Sequence, residues 1–207
     1  MSSIAAEKYL PNRMLFFFHR SLEETIGRTA TALLWRNAGA RSECLPTVTD
    51  DLEKAVSFSC YSALCLSIGK VYGESGARDI LYRSGRTVLS ETLRSTAAIV
   101  GLDGARLYGQ PVAERIAEGM PSATRLLGLI SDMECRMEIV PPAYRFHVSA
   151  CPECAGRRAE GGLCYSVGGM LRGALDWFGI DPAIPVAEDE CTVRGAAGCV
   201  FSISGSF

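Results

Sequence analysis

Five of the nine cysteines in this 207-residue chain fall between positions 151 and 199. They are Cys151, Cys154, Cys164, Cys191 and Cys199, and a fold that serves them must bring distant turns to one point. Cys151-Pro152-Glu153-Cys154 is a C-x-x-C knuckle, a spacing that turns two thiolates toward one ion from a tight turn. Cys191 and Cys199 form a second close pair at the two ends of an expected hairpin. Cys164 projects from the start of a helix between them, and a helix N-terminus favours thiolate over thiol. Glu188, just ahead of Cys191, adds an oxygen donor. Closed four-coordinate sites accept Cys and Glu, whereas iron–sulfur clusters take four thiolates. On ligand type, Zn2+ ranks first and an iron–sulfur cluster is the alternative.

The rest of the composition narrows the setting. Met-Ser-Ser-Ile-Ala-Ala-Glu-Lys at the N-terminus has no basic region followed by an apolar core, so a secretory signal is not expected. The reading is a cytoplasmic chain with reduced thiols, and an odd cysteine count already prevents complete pairing. No stretch approaches the roughly 20 apolar residues of a membrane span. The greasiest run, Met14 to Phe18, is flanked by Arg13, His19 and Arg20. Lys and Arg total 21 against 23 Asp and Glu, a net charge of −2, which offers nucleic acid no broad attraction. Cys44, Cys60, Cys65 and Cys135 are scattered and read as packing thiols.

Periodicity divides the chain into a helical part, about 9–130, and a strand- and cysteine-rich part, about 131–207, within a single domain 1–207. Leu15, Phe18, Leu22, Ile26, Ala30 and Leu33 recur at helical spacing and predict one helix from Asn12 to Asn37, stopped at Gly39. A second is expected from Asp51 to Tyr72, a turn at Gly73 to Gly76, and a third from Arg78 to Ala98. A fourth lies between Pro111 and Ile130, with Pro121 breaking it. Beyond Ser131, Cys135 to Val140 and Ala143 to Ser149 read as strands joined by a Pro141-Pro142 corner. Cys164 to Phe178 reads as a helix ended by Gly179. Ala183 to Cys191 and Cys199 to Ser204 read as a strand pair. The sum is α+β, helices packed on a mainly antiparallel sheet.

Three segments carry a resemblance: Cys164-Tyr-Ser-Val-Gly-Gly-Met-Leu-Arg-Gly-Ala-Leu, Val186-Ala-Glu-Asp-Glu-Cys191, and Gly195-Ala-Ala-Gly-Cys199-Val-Phe-Ser-Ile. With Tyr9-Leu-Pro-Asn-Arg-Met and Tyr72-Gly-Glu-Ser-Gly-Ala-Arg, they make the chain resemble the 4-vinyl reductase domain family of hydrocarbon-binding proteins. The resemblance implies the ligand-binding fold of NO-signalling and Golgi-transport proteins, and a zinc ion on Cys164, Glu188, Cys191 and Cys199. The Cys151–Cys154 knuckle departs from that pattern and adds two thiolates. It further implies a homodimer and an apolar pocket, to which the helices contribute Phe58, Tyr61, Leu64 and Ile68 and the sheet Phe146 and Val148.

No catalytic constellation stands out. His19 lies beside the first apolar stripe, His147 alternates with Arg145 and Ser149 along a strand, and no glycine-rich phosphate loop occurs in context. The leading function is a non-catalytic binding protein for a small aromatic or hydrocarbon-like ligand, with a cysteine-held metal centre. The alternatives are an iron–sulfur or tetrapyrrole-pathway accessory protein and a dimeric assembly or tethering protein.

Overall fold

Two glycines decide how the N-terminal helices are cut. The computed structural model describes residues 6–38, 49–140, 143–157 and 164–204. The helix expected from Asn12 to Asn37 is two, α1 (Asn12–Ile26) and α2 (Arg28–Asn37). Gly27 between them has φ 84°, a left-handed value that costs glycine little and other residues much. Leu15, Phe18, Leu22 and Leu34 are buried, whereas Leu33 is half exposed. The second cut is Gly73 (φ 69°, ψ 177°), which breaks α3 (Phe58–Thr96) where a turn was expected. The expected helix stop Gly39, Cys44 and the Pro141-Pro142 corner lie outside the described residues.

Lys54–Ser57, expected as the opening of a helix, is instead strand β2, paired antiparallel with β1 (Tyr9–Pro11). The reason is local. The Ser57 side chain accepts from Cys60 N and so starts the helix later, while Asp51 accepts from Asn12 Nδ2 at 2.9 Å. After α3 come a 3-10 turn (Ala97–Val100), the short α4 (Gly104–Tyr108) and α5 (Val112–Ile130). Pro121 does not break α5. Ile116, Met120, Ala123 and Leu127 are buried on either side of it, and that packing offsets a cost of about 3 kcal/mol for an internal proline.

Four strands form the main sheet: β3 (Cys135–Val140), β4 (Ala143–Val148), β5 (Val186–Glu190) and β6 (Cys199–Ser204), in the order β3-β4-β6-β5. Every neighbouring pair is antiparallel. Tyr144, Phe146 and Val148 of β4 point into the core and Arg145 points out, the two-residue alternation of a sheet with one covered face. Helix α6 (Tyr165–Trp177) crosses α3 at a seam of glycines. A Cβ added to Gly85 would strike the Ser166 carbonyl, one at Gly169 the Tyr82 carbonyl, and one at Gly173 the Arg86 carbonyl. The two helices therefore touch backbone to backbone, and α6 is held between α3 and the sheet, where Gly168 meets Phe201. The helix-on-antiparallel-sheet architecture is as expected. Among the described residues no helix is long and apolar enough to cross a membrane.

Candidate metal centre

The five clustered cysteines arrive from four separate pieces of chain. Cys151 and Cys154 sit on a turn just after β4, closed by Cys154 N donating to Cys151 O at 3.2 Å. Cys164 caps the N-terminus of α6. Cys191 follows β5, and Cys199 opens β6 opposite Val148. The link between Cys191 and Cys199 is folded back by Arg194 N and Ala196 N, which both donate to Cys191 O, at 3.0 and 3.2 Å, and by Gly195 at φ 93°.

Their sulfurs converge. Cys154 Sγ lies 3.1 Å from Cys164, 3.6 Å from Cys191 and 3.5 Å from Cys199. Cys164 lies 3.6 Å from Cys191 and 3.8 Å from Cys199, and Cys191 lies 3.9 Å from Cys199. These six edges close a tetrahedron. A tetrahedral ion bound by thiolates at about 2.3 Å places sulfurs about 3.8 Å apart. Cys151 Sγ sits 3.7 Å from Cys164 Sγ, on the flank of this quartet. All five cysteines are buried.

Two carboxylates frame the sulfurs. Glu188 Oε2 accepts from Cys164 N at 2.7 Å, while its Oε1 is buried without a hydrogen-bond partner. Burial raises the Glu188 pKa. Glu153, inside the knuckle, is fully buried, and its Oε2 accepts from Ser166 N at 2.9 Å and Val167 N at 3.3 Å, capping α6. Burial pushes Glu153 up to about 8 even so. Among the thiols, hydrogen bonding with Cys151 is the main influence that holds Cys154 down to about 7 and Cys199 lower still, and that raises Cys164. Hydrogen bonding with Cys154 raises Cys151 in turn.

The structure brings together all six expected donors, Cys151, Cys154, Cys164, Cys191, Cys199 and Glu188, in two overlapping sets of four. Cys60, Cys65 and Cys135 stand apart from both sets. Glu153 was not singled out from sequence; its signal was an acid inside a knuckle that leads toward a helix start. The six expected pocket residues, Phe58, Tyr61, Leu64, Ile68, Phe146 and Val148, all belong to one packed core, none more than 3% exposed. His19 Nδ1 accepts from Trp35 Nε1 at 3.0 Å, and His147 on the outer face of the sheet contacts Glu138 Oε2 at 2.8 Å.

The fold so described, helices on an antiparallel sheet, is that of H-NOX domains, the NO-signalling ligand-binding fold. A Fe(II) unliganded H-NOX protein from K. algicida shares 11% identity over 96% of this chain and 97% of that one, with a TM-score of 0.62. An H-NOX protein from S. oneidensis in the Fe(II)NO ligation state shares 14% over 91% and 97%, at 0.55. A protein solved for haem redox potential tuned by porphyrin distortion shares 12% over 94% and 98%, at 0.50. No protein-family model matches the chain, and no curated protein matches it.

These findings correct two expectations. The resemblance to the 4-vinyl reductase family is not upheld, since no family model matches and the structural neighbours are H-NOX proteins. The glycines in its motifs have a local cause: Gly169 and Gly173 close the α3–α6 seam and Gly195 reverses the chain. The expected zinc, with an iron–sulfur cluster as alternative, is corrected as well, because the neighbours are described in Fe(II) and Fe(II)NO ligation states and by haem.

Proposed function

We propose that this chain is a non-catalytic small-ligand-binding protein whose sheet and α6 are held together by a metal ion on cysteine thiolates. The observation that carries the reading is the closed tetrahedron of Cys154, Cys164, Cys191 and Cys199, with every edge between 3.1 and 3.9 Å. Buried thiols this close are stabilised far better by a shared cation than by one another, because an ion compensates the thiolate charge that burial penalises.

Haem, which one fold neighbour's name brings to mind, does not suit the residues present. A porphyrin needs a broad slot beside an axial donor. Both histidines of the chain already have side-chain partners, Trp35 for His19 and Glu138 for His147. The α3–α6 seam is closed by backbone contact, and the thiols face one another across a space fit for an ion.

The ligand in this reading is a small apolar molecule, with Phe58, Tyr61, Leu64, Ile68, Phe146 and Val148 as its wall. The neighbours' small-ligand binding and the aromatic character of that wall support it. Tyr61 links wall and centre, since its hydroxyl is bonded to Ser166 in the first turn of α6, beside Cys164. The reading includes a homodimer, for which Val71 and Tyr72, large and exposed beside the Gly73 break, supply apolar surface.

Elemental analysis of the full chain, purified without oxygen, tests the central claim. At least one transition-metal ion per chain is expected, and it is lost in Cys164→Ser but kept in Cys60→Ser. A metal-free protein whose clustered thiols all react with a thiol reagent overturns the reading.

A further inference from the structure

The cysteines gather at the N-terminal end of α6, and the other end of that helix borders a groove of different chemistry. The 13 residues of α6 separate the two ends by about 20 Å. The groove is open, about 680 Å³, and lies between α3, α4 and α6. Small-molecule sites usually fall between about 300 and 1,000 Å³. Helix α3 lines it with Arg86, Thr87, Ser90 and Arg94, which the helical period sets on one stripe. Helix α4 adds Tyr108, 57% exposed, and α6 adds Asp176 and the half-buried Trp177.

Three chemistries meet there. The first is positive charge. Asp176 pairs with Arg86 and also accepts from Arg172 Nε at 2.9 Å, so one carboxylate faces two guanidinium groups and a net positive charge remains. Arg94 pairs with Glu91 one turn back, and exposed pairs of this kind are weak enough to yield to a ligand anion. The second is aromatic surface. The Trp177 ring stands edge-on to Phe178, centroids 5.4 Å apart and planes at 81°, and a Cβ at Gly104 would lie 3.4 Å from its Cζ2. The third is a pair of acceptors. Thr87 Oγ1 donates to Arg83 O at 3.3 Å and Ser90 Oγ donates to Thr87 O at 3.2 Å. Both hydroxyl protons are thereby used, and both oxygens are left to accept. We infer that the groove is a second ligand site, one that takes a nucleoside phosphate. The base stacks on Trp177 and Tyr108, its N–H groups donate to Thr87 and Ser90, and Arg86 and Arg94 hold the phosphate oxygens. Guanidinium forks match phosphate in both charge and geometry. A bare anion would leave the rings and acceptors idle, and an uncharged ring would leave the arginines idle.

This site stands apart from the metal centre, and its test does not depend on one. Isothermal titration calorimetry of the full chain compares three probes: ADP, adenosine and inorganic pyrophosphate. ADP is expected to bind about tenfold more tightly than either of the others, the scale of a hydrogen bond to a charged group, and to weaken as salt is added. Arg94→Gln is expected to bring ADP down to the level of adenosine and to leave adenosine unchanged. Tyr108→Ala is expected to weaken ADP and adenosine alike. Arg28→Gln removes the same charge from a side chain 89% exposed on α2, and is expected to leave all three affinities as they are. All three substituted side chains are exposed, and circular dichroism checks that each variant keeps its fold. Pyrophosphate bound as tightly as ADP, or Arg28→Gln as harmful as Arg94→Gln, overturns the site, because charge alone then accounts for binding. An ADP affinity no higher than that of adenosine, or no heat with any probe, overturns it too.

Discussion

Arg172 is the one basic side chain in the described core, 3% exposed, and each of its three nitrogens donates a hydrogen bond. Nε donates to Asp176 Oδ1 at 2.9 Å, while the Nη atoms donate to the carbonyls of Ile180, Asp181 and Ile184. It thereby fixes the path from α6 into β5. Replacing it with Met removes every one of these donors and leaves three carbonyls short of a partner. A loss of about 3 kcal/mol is expected, the scale for breaking a buried pair from one side, read as a lowered midpoint in urea unfolding with unchanged slope. The clustered cysteines were legible in the sequence because their spacing is a local property. Arg172 was not, since its worth depends on carbonyls that only the folded loop presents. Glu153 stayed hidden for the same reason: its partners, Ser166 N and Val167 N, lie across a change of direction that spacing does not reveal.

Among the elements, the weakest by length is the ribbon of β1 and β2, and carboxylates clasp it. Asp132 accepts from Lys54 Nζ at 2.8 Å and from Tyr9 N at 2.9 Å, and Glu134 pairs with Lys8. The Lys54 bond holds Asp132 below its ordinary 3.8, and the Lys8 bond holds Glu134 below its ordinary 4.5. A folded pKa below the unfolded one gives stabilisation that is present above the unfolded value and fades as pH falls through the folded one. Loosening of this ribbon is therefore expected below about pH 4, the ordinary carboxylate range, and Asp132→Asn is expected to flatten that acid response. Hydrogen exchange at Tyr9 and Lys54 through an acid series measures it. The α3–α6 seam makes a second expectation at this scale. Gly169→Ala forces a methyl group against the Tyr82 carbonyl, and overpacking of this kind costs about 1–3 kcal/mol. Thermal melts check it, with Gly128→Ala as the control, since a Cβ there meets nothing within 4 Å. Strands β3 to β6, five or six residues each, were readable from the turn residues between them, the Pro141-Pro142 corner and the Arg194 to Gly198 turn. At three and four residues, β1 and β2 are too short for a period to show.

For the molecule as a whole, the order of helices followed by strands was enough to give the α+β class, while the partner of each layer was not. That α6 lies against α3 follows from glycines whose significance appears only once two helices meet. If a metal holds the cysteines, chelation at neutral pH is expected to lower the thermal midpoint of the entire chain, and Cys199→Ser to do the same without chelator. In Cys60→Ser, outside both donor sets, the drop on chelation is expected to persist. Differential scanning calorimetry of the three proteins provides the comparison. The sheet order has a further consequence. Strand β6 comes last in chain order among the described strands, yet it lies between β4 and β5 and pairs with both. On the ribosome the β3–β4 hairpin is complete early, but β5 has no neighbour to pair with until residue 204 has emerged. Throughout that interval one flank of β4 and the thiols of Cys151, Cys154, Cys164 and Cys191 are without Cys199. The nascent protein is then most open to chaperones, oxidants and stray metal, and the arrival of a single strand ends that exposure.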